Sequence, residues 1–208
     1  MPESVVLMHL MIAKLCHDLA TPLGALGLGL EMALENVDEK AIDKDTQDLL
    51  LNSSNTAKLR LKTYRALLSI GPESPTFSET QEALNLMCQE QKIRLNWHIG
   101  SSLVPNGLFC RVLLGLGFIA AESLIRGGAM SLYLKPVADD NIDIAIAAEG
   151  PMVQLRPGYM EALSNDQALL HQTSRTILPY YVRILASQYK KNITCHISGG
   201  NKLELVAA

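Results

Sequence analysis

Apolar residues recur at Ile12, Leu15, Leu19, Leu23 or Pro22, Leu26, Leu30 and Ala33, in steps of three and four. That spacing predicts one amphipathic helix over residues 4–36, with these positions as its buried stripe. Pro22 falls inside it, removing one backbone hydrogen bond and crowding the previous turn. Because the stripe runs straight through, the expectation is a kinked helix and not two helices. A polar stretch at 36–44 suits a turn. Leu50, Ser54, Ala57, Leu61, Tyr64 and Leu68 then mark the buried seam of a second helix over 45–70. Lys58, Arg60, Lys62 and Arg65 are expected on its solvated outer face. Two long helices joined by a short turn make an antiparallel hairpin. The first also carries Val5, Val6, Leu7, Met8, Leu10 and Met11, more apolar surface than one partner helix covers. Two copies are therefore expected to pair into a four-helix bundle, the alternative being that the rest of the chain folds back over the strip.

The breaker cluster Gly71-Pro72-Glu73-Ser74-Pro75 divides the chain into a hairpin domain at 1–72 and a second domain at 76–208. Beyond it, Ser78 with Glu79, Thr80 and Gln81 reads as a capping box opening a helix to about 91. Ile93, Leu95, Trp97 and Ile99 alternate as in a half-buried strand. A strongly apolar helix is expected over 105–126, stopped by Gly127 and Gly128. Strands follow at 130–135 and 142–147, with the turn Ala138-Asp139-Asp140-Asn141 between them. Helices at 159–164 and 173–189 precede a closing hairpin, 192–197 and 202–206, about Gly199 and Gly200. The fold class is α+β: a long helical hairpin followed by an α/β sandwich with its helices on one face of a sheet.

Composition narrows the function. The 208 residues are 48% hydrophobic, which supports a folded chain. Net charge is -3, with pI near 5.9 and no basic block, so nucleic acid and anionic membranes are not expected partners. No uninterrupted apolar run approaches the roughly 20 residues of a membrane span, and the start MPESVV lacks a signal-peptide pattern. Cys16, Cys88, Cys110 and Cys195 form no CxxC pair, and reduced, packed thiols in a cytoplasmic protein are expected. The histidines show no metal-ligand spacing, so neither metal nor cofactor is expected on this chain.

One stretch of the first helix carries candidate chemistry. His17 lies two residues from both Leu15 and Leu19, a rotation of about 200°, so it points away from the apolar stripe toward solvent. Asp18 follows it directly, and Thr21 stands one turn further on. Neutral imidazole, with an unperturbed pKa of about 6.5, is a competent nucleophile near neutral pH. Asp18 is placed to accept from the near ring nitrogen and fix the tautomer, and Thr21 to position Asp18 or to donate to a bound oxygen. Gly24, Gly27 and Gly29 leave little bulk beside the site, which suits either close approach of a partner helix or close packing within the bundle. Lys14, Gly24 and Leu28 are the expected partner-binding positions. Taken alone, an exposed helical histidine is ordinarily a solvated side chain.

The order of hairpin and sandwich resembles a bacterial histidine kinase core, whose hairpin carries a phosphoacceptor histidine followed by an acid and, five residues on, a proline. His17-Asp18 with Thr21-Pro22 matches that pattern. The chain is more similar to the ChpT-type histidine phosphotransferases. LCHDLATPLGALGLGLE, LLLNSSNTAKLRLKTYRALL, GFIAAESLIRGGAMSL and ILPYYVRILA carry the resemblance, which spans nearly the whole chain. It implies a sandwich that resembles a kinase ATP-binding domain but has lost ATP. The kinase's magnesium-holding asparagines would fall at Gly115 and Ile119. Its adenine-gripping aspartate would fall near Ala147-Ala148-Glu149-Gly150, where none stands. No glycine-rich phosphate lid precedes Thr173. An asparagine common in the family near Gly27-Leu28-Gly29 is also absent.

The resemblance implies a phosphorelay protein. His17 would take a phosphoryl group from a receiver-domain aspartate, that of a hybrid kinase, and pass it to another response regulator, with magnesium supplied by the receiver. Competing readings are an active sensor-kinase core with an atypical ATP site, and a non-catalytic dimeric module that docks receivers.

Overall fold

The computed structural model describes residues 2–35, 42–101, 103–137, 141–164 and 169–208. The expected turn at 138–141 lies largely outside them, as does most of the turn at 36–44. The first helix, α1 (Glu3–Glu35), runs unbroken through Pro22 and packs along α2 (Lys44–Leu68). Asp43 caps α2 by accepting from the Thr46 amide over 2.9 Å. Gly29 allows the two helices to approach closely, since a Cβ there would stand 2.9 Å from Leu50 Cδ2.

The buried faces are rotated by about one residue from those expected. On α1 the buried positions are Met11, Lys14, Pro22 and Gly29, while Ile12, Leu23 and Leu30 are exposed. On α2 they are Thr46, Ser53, Thr63, Tyr64 and Leu67, and Leu61 and Leu68 are exposed. The periodicity was legible, but two apolar faces adjoin on α1. The face that closes within one chain is the one that carries Asp18, which accepts from Tyr64 of α2 and pairs with Lys14 along α1. Arg60 is likewise not on the solvated face; its side chain is 23% exposed and turned inward. An 18-residue window of α1, with mean hydropathy 1.3, is by length and composition apolar enough to cross a bilayer. Lys14, His17 and Asp18 interrupt the apolar run, as expected, yet leave that average high.

A 3-10 turn at Gly71–Glu73 leads to α3 (Phe77–Glu90). Its capping box is made by Thr76 and Glu79, two residues earlier than expected. Then come β1 (Ile93–Ile99), α4 (Gly107–Ser123), β2 (Gly128–Pro136), β3 (Ile142–Glu149), the single-turn α5 (Tyr159–Leu163), a 3-10 turn at Leu169–His171, α6 (Ile177–Gln188), β4 (Ile193–Ser198) and β5 (Lys202–Ala207). α6 begins four residues later than expected, because Thr173 and Thr176 hydrogen-bond into a turn. The sheet runs β1-β2-β3-β5-β4, with β1 and β2 parallel and the other pairs antiparallel. Burial alternates along β3 and β5, so one face of the sheet lies under the helices. Gly199 and Gly200 both have positive φ in the three-residue loop, 199–201, that joins β4 to β5.

α4 is buried from Phe109 to Ala121 and forms the centre of the core. Met11, Tyr64 and Leu67 of the hairpin belong to that same core. Arg111 of α4 donates through Nε to the Leu67 carbonyl over 2.8 Å, placing a cation at the C-terminal end of α2. Of the thiols, Cys88 and Cys110 are buried, and burial pushes them up to about 12 and about 11. Cys16 is exposed, against expectation, because α1 turns that face outward.

Candidate functional site

His17 projects from the middle of α1 with its side chain 67% exposed. Its Nδ1 lies 3.3 Å from Asp18 Oδ1. Asp18 is nearly buried, and its two oxygens accept from Lys14 Nζ at 2.7 and 2.6 Å. Tyr64 of α2 donates its hydroxyl to Oδ2 over 2.5 Å. The Arg60 guanidinium stands 4.0 Å from the same oxygen. Burial works to raise the Asp18 pKa, but the bonds from Lys14 and Tyr64 and the charges of Lys14 and Arg60 outweigh it and hold the carboxyl below its usual range. Burial and the neighbouring carboxylate push the Tyr64 phenol well up, so it stays a donor. An ionised carboxylate only accepts. The ring proton of His17 is therefore favoured on Nδ1, leaving the Nε2 lone pair facing solvent.

Pro22 is buried on the inner face of α1. Lacking an amide hydrogen, it leaves the Asp18 carbonyl without its usual helical donor, one residue from His17. Thr21 is exposed, and among the described residues its hydroxyl makes no side-chain hydrogen bond. It does not position Asp18, whose oxygens belong to Lys14 and Tyr64. Lys14 is 2% exposed and paired to Asp18, so it is not a free partner-binding cation. Its place one turn before Asp18, on the face toward α2, is the reason. Gly24 and Leu28 are exposed, and a Cβ on Gly24 or Gly27 would meet nothing within 4 Å. The glycines thus divide: Gly29 packs the hairpin, and Gly24 and Gly27 leave open surface beside His17.

Sequence reasoning missed Arg60 and Glu122. Glu122 ends the apolar run of α4 with its side chain 4% exposed, and accepts from Arg60 over 2.9 Å and from Arg156 over 3.0 Å. A lone carboxylate in so apolar a helix is itself a signal, since burial without a cation would cost several kcal/mol (roughly 3–5). Where the kinase resemblance places magnesium-holding asparagines, Ile119 is fully buried. A Cβ at Gly115 would stand 2.4 Å from Val182 Cγ2 of α6. The residues at those positions do not fit a magnesium nucleotide. Among the described residues no three His, Cys, Asp or Glu side chains cluster as metal ligands.

Residues 77–201 match the family described as histidine phosphotransferase C-terminal domain. The chain belongs to that family. Protein phosphotransferase ChpT of Brucella abortus (strain 2308) is 25% identical to this chain over 190 residues, 90% of this chain and 88% of that protein. This histidine phosphotransferase is of the ChpT type. Among solved structures, a bacterial phosphotransferase matches with TM-score 0.78 at 22% identity, covering 97% of this chain and 95% of that one. The histidine kinase AdeS of Acinetobacter baumannii matches with TM-score 0.52 at 17% identity, covering 92% and 97%. The phosphotransferase thus has a kinase-like fold, in which a helical hairpin precedes a mixed five-stranded sheet.

Proposed function

We propose that His17 is the phosphoacceptor through which this phosphotransferase relays a phosphoryl group between receiver domains. The observation that carries the reading is the exposed imidazole whose Nδ1 faces a nearly buried Asp18 held ionised at neutral pH. The Nε2 lone pair attacks the phosphorus of a receiver's aspartyl phosphate in line. The phosphorus–oxygen bond breaks, and the carboxylate leaves with the electron pair. The ring then carries a positive charge that the Asp18 carboxylate stabilises through Nδ1–H. Because Asp18 is held ionised, it serves as a fixed charge and not as a proton sink. Transfer to a second receiver is the reverse step, attack by that receiver's carboxylate on the phosphoimidazole.

Magnesium in this reading belongs to the receiver, since the carboxylate beside His17 is already engaged by Lys14 and Tyr64. No ATP enters the cycle; the close approach of α6 to α4 at Gly115 supports this. The exposed apolar strip of Ile12, Leu23 and Leu30 on α1, with Leu61 and Leu68 on α2, supports a homodimer through the hairpins. Burying that strip against a second copy also accounts for the hydropathy of α1 and fits a cytoplasmic protein. The donor is read as a hybrid-kinase receiver and the acceptor as a response regulator.

Incubation with a phosphoryl-labelled receiver domain tests the reading. The expected label is acid-labile, base-stable and absent from His17→Ala, with helicity of the variant retained. Label persisting in that variant, or wild-type protein that takes none, rejects it.

A further inference from the structure

A buried chain of charges links the histidine on the hairpin to the sandwich. Arg60 of α2 hydrogen-bonds Glu122 of α4 over 2.9 Å and reaches Asp18 only through space, at 4.0 Å. Its guanidinium lies 4.9 Å from the centroid of the Phe118 ring, which fixes its plane. Glu122 is itself held, by Arg156 over 3.0 Å and the Tyr159 hydroxyl over 3.4 Å. Two buried carboxylates thus flank one guanidinium, and the sandwich-borne one makes the hydrogen bond. Without Glu122, Asp18 would be the nearest buried anion left for Arg60. A guanidinium closing on Oδ2 would compete with Tyr64 and draw the carboxylate off His17 Nδ1. In a poorly solvated site such a shift acts strongly on neighbouring groups.

We propose that Glu122, supplied by the sandwich, is a positioning residue for phosphotransfer at His17, acting through Arg60 and Asp18. The proposal rests on His17 as the phosphoacceptor. It gives the sandwich domain a part in the reaction: holding the hairpin's acid in register.

The test compares wild type, Glu122→Gln, Arg60→Gln and the double variant, each checked for folding by circular dichroism and thermal melting. Ring nitrogen-15 shifts of His17, assigned against His17→Ala, give the tautomer ratio without any phosphate. Single-turnover transfer from a phosphorylated receiver gives a saturating rate and a half-saturating concentration. Glu122→Gln is expected to lower the Nδ1–H fraction and to slow the saturating rate roughly five- to tenfold, with half-saturation unchanged. The double variant is expected to be no slower than Arg60→Gln alone, because one acts through the other. A wild-type tautomer ratio in Glu122→Gln overturns the proposal, as does multiplication of the two rate effects. If Glu122→Gln does not fold, Glu122→Asp carries the same measurement. It keeps the charge but withdraws it by one methylene, so an intermediate tautomer ratio is expected and a wild-type ratio is contrary. A wild type that takes no label rejects the phosphoacceptor reading, and the tautomer ratio still decides the positioning role.

Discussion

The Tyr64 hydroxyl donates to Asp18 Oδ2 over 2.5 Å, so one hairpin helix fixes the acid that the other helix places beside His17. Tyr64→Phe keeps the ring in the core against Phe118 and removes only the donor. A buried hydrogen bond to a charged group is worth about 1.5–3 kcal/mol. The variant is expected to lose stability in that range by urea unfolding, with an unchanged m-value. Transfer through His17 is expected to slow several-fold, since Asp18 keeps Lys14 but loses one restraint. Wild-type stability and rate together would show the bond to be inconsequential.

Asp18 also predicts a pH dependence. Its folded carboxyl lies below the ordinary 3.8. As pH falls the unfolded chain therefore takes up this proton first, and acid destabilises the fold. The contribution is fully present above the unfolded value and is lost as pH falls through the lower folded one. Asp18→Asn lacks that term and strands Lys14, so it is expected to be less stable than wild type at neutral pH. The gap in urea midpoint should narrow below about pH 4. A gap constant down to pH 3 would mean that the Asp18 titration is not linked to folding.

What could be read from the chain alone depended on whether the signal was local. Helical spacing placed α1 and α2, alternation placed β1, and the two glycines placed the last hairpin, since each reports through its immediate neighbours. The orientation of His17 followed from rotation along one helix. Which apolar face of α1 closes inward did not, because Tyr64 bonds Asp18 across 46 residues of sequence. The Lys14–Asp18 pair is locally legible from its four-residue spacing, but the burial of Lys14 is not, since a lysine is ordinarily exposed. The closeness of α6 to α4 at Gly115 leaves no sequence mark beyond the glycine itself.

Two glycines on helices should respond oppositely to alanine. A Cβ on Gly24 meets nothing, so Gly24→Ala is expected to gain up to about 1 kcal/mol from helix propensity alone. At Gly115 the same atom would lie 2.4 Å from Val182, a β-branched side chain with little freedom to turn away inside α6. Gly115→Ala is therefore expected to cost about 1–3 kcal/mol. Thermal melts check both signs. Transfer assays on Gly24→Ala test the open surface: slower transfer in a more stable protein is expected if a receiver helix approaches there.

The proposed pairing of hairpins predicts a change of mass on a single substitution. Ile12 and Leu61 are each more than half exposed on the helices that carry the strip. Burying a side chain of this kind contributes about 1.5–3 kcal/mol, and a twofold interface contains each position twice. Placing a carboxylate there instead puts two charges in an apolar seam without cations. Ile12→Glu and Leu61→Glu are expected to sediment as the 22.7 kDa chain where the wild type sediments at twice that mass. Neither position belongs to the core formed by Tyr64, Leu67 and α4, so helicity and melting of the sandwich should persist. A wild type that is monomeric at micromolar concentration would remove the dimer. Variants that remain dimeric would move the interface to another face.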